Sequence, residues 1–135
     1  LLSDRCLFSH VGDSSIYFSN GSGIKKISKC HTLGDELIEK HGPEAANDMP
    51  EHYMHTLTRC MGQDIDFEVD LGEQILSPGD QLLICSDGVT NMVELDEINQ
   101  MMSDLEPKDF IHALIDAANQ NGGVDNSTAV TLKIS

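Results

Sequence analysis

Leu82-Leu83-Ile84-Cys85 is an unbroken apolar run that stops abruptly at Ser86-Asp87-Gly88. Four apolar residues bounded by turn formers predict a buried strand, entered through Ser77-Pro78-Gly79-Asp80. Upstream, residues 5–11 are mostly apolar and end at Gly12-Asp13-Ser14; apolar character returns at Ile16, Tyr17 and Phe18. The pattern predicts a strand, a sharp turn and a second strand over residues 15–19. Asn20-Gly21-Ser22-Gly23 then turns the chain into residues 24–27, whose Lys25 and Lys26 suggest a short strand with a solvated side. These three strands are expected to form an antiparallel meander.

Thr32 is placed to cap a helix carrying Leu33, Leu37 and Ile38 on one face, with Gly42-Pro43 as its stop. No period persists over residues 44–58, which predicts an irregular flap with at most one helical turn, the flap region as a whole spanning residues 30–60. Phe67, Val69 and Leu71 alternate with Glu68 and Asp70, as a half-buried strand requires. Beyond the central strand, Leu95, Ile98, Met101 and Met102 recur at helical spacing. Pro107 opens a second helix with Phe110, Ile111, Leu114, Ile115 and Ala118 inside, and Gly122-Gly123 ends it. A last strand over residues 127–134 turns Thr128, Val130, Leu132 and Ile134 one way. Met92, Met101 and Met102 read most simply as core fillers.

Composition narrows the picture. With 135 residues, 39% of them hydrophobic, residues 1–135 suffice for a single domain with a buried core. Eight Lys and Arg against 23 Asp and Glu give a formal charge of −15, which argues against a nucleic-acid or anionic-membrane partner and suits a protein that gathers divalent cations. Cys6, Cys30, Cys60 and Cys85 form no Cys-x-x-Cys pair, and reduced thiols in a cytoplasmic protein fit them best. The start, Leu1-Leu2-Ser3-Asp4, lacks Met and falls nearly inside a strand, so upstream sequence is expected to have been removed.

Three turns share one design, a strand meeting an acid flanked by small or amide residues: Gly12-Asp13-Ser14, Ser86-Asp87-Gly88 and Gly123-Val124-Asp125-Asn126-Ser127. If their strands are neighbours, Asp13, Asp87 and Asp125 converge into the oxygen-rich set that Mg2+ or Mn2+ prefers. On the residues alone each turn also reads as surface punctuation, and an Asp-Gly turn is more often that than a ligand. His52, His55 and Cys60 lack the second ligand pair of a zinc finger. Asp64-Ile65-Asp66 lacks the Gly and closing Glu of a calcium loop. Asp87 has no second Asp two residues on, as a phosphoaspartyl mechanism needs. Arg59 reads as structural, tying the flap to the sheet.

Gly12-Asp13-Ser14, Leu57-Thr58-Arg59-Cys60-Met61-Gly62, residues 79–90 and Gly123-Val124-Asp125-Asn126-Ser127-Thr128 resemble, in order and spacing, successive motifs of the protein phosphatase 2C family, most closely its bacterial members. The resemblance implies an α+β fold, part of a four-layer α-β-β-α sandwich with mostly antiparallel sheets. It makes this chain the C-terminal half of the catalytic domain, with the N-terminal strands missing. It implies two, and with Asp13 three, Mn2+ or Mg2+ ions, with Asp87 and Asp125 as ligands of the catalytic pair, Asp13 sharing a third ion with Asp87, and Asn126, Gly88 and Ser86 as their supports. The implied activity is hydrolysis of phosphoserine and phosphothreonine by a water that the ions activate, on a phosphoprotein such as a Ser/Thr kinase or its targets. The family's upstream Asp-Gly, further acidic ligand, phosphate-gripping Arg and proton donor have no counterpart here, so an N-terminal half or a dimer partner is needed to complete the site. The alternative is a phosphatase-like module that has lost catalysis and binds or senses a partner. Two further departures are Ser15, where the family's Gly-Asp-Ser turn continues into Arg, and Cys30-His31, where an acidic residue is usual.

Overall fold

The computed structural model describes residues 4–64 and 66–135; the expectations that touch residues 1–3 and Ile65 lie outside the described residues. Among the described residues, six strands fall into two antiparallel sheets. β1 (Arg5–His10) pairs with β4 (Asp70–Ile75). The second sheet runs β3 (Ile24–Lys26), β2 (Ser15–Ser19), β5 (Gln81–Cys85), β6 (Ala129–Lys133).

The expected meander is thus half right. β2 and β3 do form a hairpin, but β1 leaves for the other sheet. The cause lies at Gly12, whose φ of +107° turns the chain out of the strand. Its carbonyl accepts from the His31 amide at 2.8 Å, and its own N–H donates to the His31 ring at 3.1 Å. With both groups satisfied by His31, no tight hairpin joins β1 to β2.

β4 also differs from expectation. It begins at Asp70, three residues after Phe67, and Leu71 is 83% exposed where the alternation predicted a buried face. Phe8 stands opposite Gly72 in the β1–β4 register, and its ring covers the glycine so closely that a β-carbon there would collide with it. This fixes Gly72 inward and sends Leu71 outward, because side chains alternate strictly along a strand.

Helix α1 (Leu33–His41) starts at Thr32, whose side chain accepts from the Asp35 amide, and ends at Gly42. Two 3-10 segments follow, Pro43–Asn47 and Glu51–His55, against the single turn expected at most. After β5 come α2 (Asp87–Thr90), α3 (Leu95–Asp104) and α4 (Pro107–Gln120).

Two cores hold these layers together. Leu83, Cys85 and Tyr17 on one face of the second sheet pack with Val89, Val93, Ile98, Met102, Phe110, Leu114 and Ala118 from α2 to α4. Met92 and Met101 pack partly buried against them, as core fillers do. Between the sheets, Phe18, Leu82 and Leu76 form a smaller cluster. The order is helices, sheet, sheet: three of the four layers. Apolar side chains remain uncovered on both sheets, Leu7, Leu71 and Ile75 on the first and Ile84, Val130 and Leu132 on the second.

Candidate metal centre

Asp87 sits where the sequence pattern puts it, at the end of β5. Ser86 is still extended and α2 begins at Asp87, so a buried strand carries the carboxylate on a rigid base. Ser86 binds the 125–128 loop three times: its hydroxyl donates to the Asn126 carbonyl at 3.1 Å and accepts from the Thr128 amide at 3.1 Å, and its amide donates to the Thr128 carbonyl at 3.0 Å. The Ser127 hydroxyl returns a bond to the Gly88 carbonyl at 3.0 Å. Asp125 and Asn126 are therefore anchored against the residues that flank Asp87.

Asp13 reaches the same place from the other side. It follows Gly12 at the crossing between the sheets, and Ser15 stands opposite Cys85 in the β2–β5 register. Asp13 and Asp87 both line a cavity of about 190 Å³, together with Tyr17, Lys26, Cys30, Asp35 and, from the 30–60 segment, Met54 and His55. Asp125 does not line it. Its loop is exposed, and its Oδ1 accepts from the Asn126 amide at 2.7 Å. Among the described residues, no three His, Cys, Asp or Glu side chains come close enough to hold one ion between them.

The electrostatics of the cavity are uneven. Among the described residues, neither the Asp13 nor the Asp87 carboxylate has a hydrogen-bond or ion-pair partner. Lys26, the cation that lines the cavity, has its Nζ 2.8 Å from the Cys30 sulfur. Burial works to lower the Lys26 ammonium, but its contact with Cys30, together with Tyr17 and Asp35 nearby, outweighs burial and holds it above the ordinary lysine value. Burial raises the Tyr17 hydroxyl above its usual range. Two neighbouring carboxylates without a cation repel each other, and a hard divalent ion with oxygen ligands is the partner that such a donor set fits.

A larger cavity of about 430 Å³ lies beside β1 and β4. Its single carboxylate, Asp70, is already engaged: Arg59 Nη1 donates to Oδ1 at 3.0 Å, and His31 Nε2 lies 3.2 Å from Oδ2. The His31 contact, then Arg59, holds Asp70 below the ordinary carboxylate range. Arg59 thus ties the 30–60 segment to the sheet. Burial, reinforced by the nearby His31 ring, lowers His10. Sequence reasoning passed over His31, Asp70 and Lys26. His31 carries no periodic signal, Asp70 read as the polar face of a strand, and Lys26 as solvated. No local pattern marks a partner that arrives from another element.

No family model matches the chain. It is 32% identical over 137 aligned residues to the protein phosphatase PhpP of Streptococcus pneumoniae, covering 99% of the chain and 55% of that protein. Its fold superposes on the serine/threonine phosphatase of S. agalactiae with a TM-score of 0.91 at 31% identity, over 100% of the chain and 56% of that structure. It superposes on the catalytic domain of the serine/threonine phosphatase PstP, solved with two manganese ions, with a TM-score of 0.83 at 25% identity, again over 100% and 56%. The chain is a homologue of the 2C-type bacterial serine/threonine phosphatases. It spans about half the length of the curated relatives it matches.

Proposed function

We propose that this chain is the C-terminal, cation-binding portion of a metal-dependent phosphatase that hydrolyses phosphoserine and phosphothreonine on proteins. The observation that carries the reading is the pairing of Asp13 and Asp87 on one cavity, with neither carboxylate hydrogen-bonded or ion-paired among the described residues, in a chain homologous to such phosphatases along its whole length. Asp13 and Asp87 would hold Mn2+ or Mg2+, with Asp125 added from the loop that Ser86, Gly88 and Asn126 anchor. Bound divalent ions supply acidity to water and neutralise charge on the phosphoryl oxygens. The manganese pair of PstP supports that choice of metal.

The chain's own residues orient the acids and keep them rigid. Ser86 fixes the loop, Gly88 allows it to approach, and the buried strand β5 prevents Asp87 from drifting. The region at residues 30–60 roofs the cavity through Met54 and His55 and would act as the flap over a phosphopeptide. No helix among the described residues is long and apolar enough to cross a membrane, and the four cysteines are free. We place the protein in the cytoplasm on the reading of reduced thiols.

The 135 residues alone are expected to be inactive, because the cavity gathers too few ligands and two sheet faces lack a cover. A parent protein carrying this chain with the rest of a phosphatase domain is expected to hydrolyse a generic aryl phosphate when Mn2+ is added and to stop on chelation. Hydrolysis indifferent to metal would reject the reading.

A further inference from the structure

We propose that His31 is a positioning residue of the cation site, clamping the Gly12–Asp13 peptide through one ring nitrogen and tying it to Asp70 and Arg59 through the other. The inference rests on the assignment of Asp13 as a cation ligand. His31 is 1% exposed, and a polar ring so deeply buried needs a partner at each nitrogen. Nδ1 lies 3.1 Å from the Gly12 nitrogen. That amide donates, so Nδ1 is the acceptor and the ring hydrogen sits on Nε2. Nε2 in turn lies 3.2 Å from Asp70 Oδ2, off the axis of a good hydrogen bond, so the neutral ring meets the carboxylate through its N–H dipole. Arg59 holds the other Asp70 oxygen.

The backbone of His31 doubles the clamp. Its amide donates to the Gly12 carbonyl at 2.8 Å, and its carbonyl accepts from the Thr58 amide at 2.9 Å. His10 Nε2 adds a contact to the same Gly12 carbonyl at 3.2 Å. Gly12, with its positive φ, is the most freely rotating link in this turn. The direction of the Asp13 carboxylate depends on that peptide. Groups that orient a metal-binding side chain from behind typically change metal affinity by about 10–100-fold when removed.

Two substitutions separate positioning from packing. In His31→Asn the amide oxygen takes the place of Nδ1 and accepts from Gly12. In His31→Gln the reach is toward Asp70 and the Gly12 acceptor is lost. In the 15N-labelled parent protein, His31→Gln is expected to speed exchange of the Gly12 amide at least ~10-fold and to raise the Mn2+ concentration for half-maximal effect by ~10–100-fold. His31→Asn is expected to keep both near wild type. The wild-type imidazole should show an unprotonated Nδ1 and a protonated Nε2 in its 15N shifts, a signature that needs no variant to fold. Overturning results are the opposite tautomer, a His31→Gln protein with wild-type exchange and Mn2+ response, or a His31→Asn protein impaired as badly as His31→Gln. If Asp13→Asn leaves the Mn2+ response unchanged, the assignment of Asp13 fails, while the Gly12 exchange and the tautomer still decide the clamp.

Discussion

Gly88 backs directly onto Asn126: a β-carbon on Gly88 would stand 2.5 Å from the Asn126 carbonyl oxygen and 3.0 Å from its carbon. Both neighbours of that contact are candidate ligands, Asp87 before Gly88 and Asp125 before Asn126. Their relative position depends on a space that only glycine leaves.

Gly88→Ala should therefore push the 125–127 loop away from α2. The obstacle is backbone, which yields poorly, so the cost is of the overpacking kind, about 1–3 kcal/mol. Denaturant melting should give a lower midpoint, and the parent should need more Mn2+ for half-maximal hydrolysis. An unchanged midpoint and metal requirement would show that the loop is not held there.

Asp70 gives the fold a dependence on acid. Its carboxyl lies below the ordinary range because of His31 and then Arg59. A depressed folded value contributes stability that is fully present above the ordinary carboxylate value of 3.8 and is lost as pH falls through the folded value. Asp70→Asn should be destabilised near neutral pH by about 1 kcal/mol or less, since the side chain is 31% exposed and solvent screens it. The difference from wild type should vanish in strong acid. Stability curves that stay parallel below pH 3.8 would contradict this cause.

Cys85 offers a chemical probe of the core. It is 2% exposed, and burial pushes its thiol up to about 12. Iodoacetamide at mildly alkaline pH should spare Cys85 in the native protein and modify the partly exposed Cys6 and Cys60. Denaturation should abolish the distinction. Peptide mass mapping reads the pattern, and early labelling of Cys85 would mean that β5 is not packed under the helices.

The uncovered rows make opposite demands on the chain alone and on the parent. Val130 is 53% exposed on β6, beside Ile84. Val130→Lys should improve the solubility of the isolated chain by removing apolar surface. In a parent protein whose further chain covers that face, the same change would bury a charge and should lower the melting temperature. Equal tolerance in both would mean that nothing covers the row.

Much of the fold was legible in the sequence because the relevant signals are local. The Leu82 to Cys85 run ending at Asp87, the Thr32 cap and the Pro107 start each depend on residues a few positions apart, and each element is found where the pattern put it. The partition of β1 and β2 between sheets was not legible, since it depends on His31 reaching Gly12 from another part of the chain. Nor was the outward turn of Leu71. Alternation marks two faces of a strand, but the identity of the covered one was decided by Phe8 over Gly72. The candidate site shows the same divide: Asp13 and Asp87 announced themselves as strand-end acids, whereas Lys26 and the His31–Asp70–Arg59 chain exist only in the folded arrangement.

The most direct measurement is phosphate release from an aryl phosphate by the parent protein with Mn2+, wild type against Asp87→Asn. Asp87 is the acid expected to touch more than one ion, and its replacement by an isosteric amide should abolish turnover while melting stays near wild type. An Asp87→Asn protein that keeps its Mn2+-dependent turnover would contradict the metal role assigned to the end of β5.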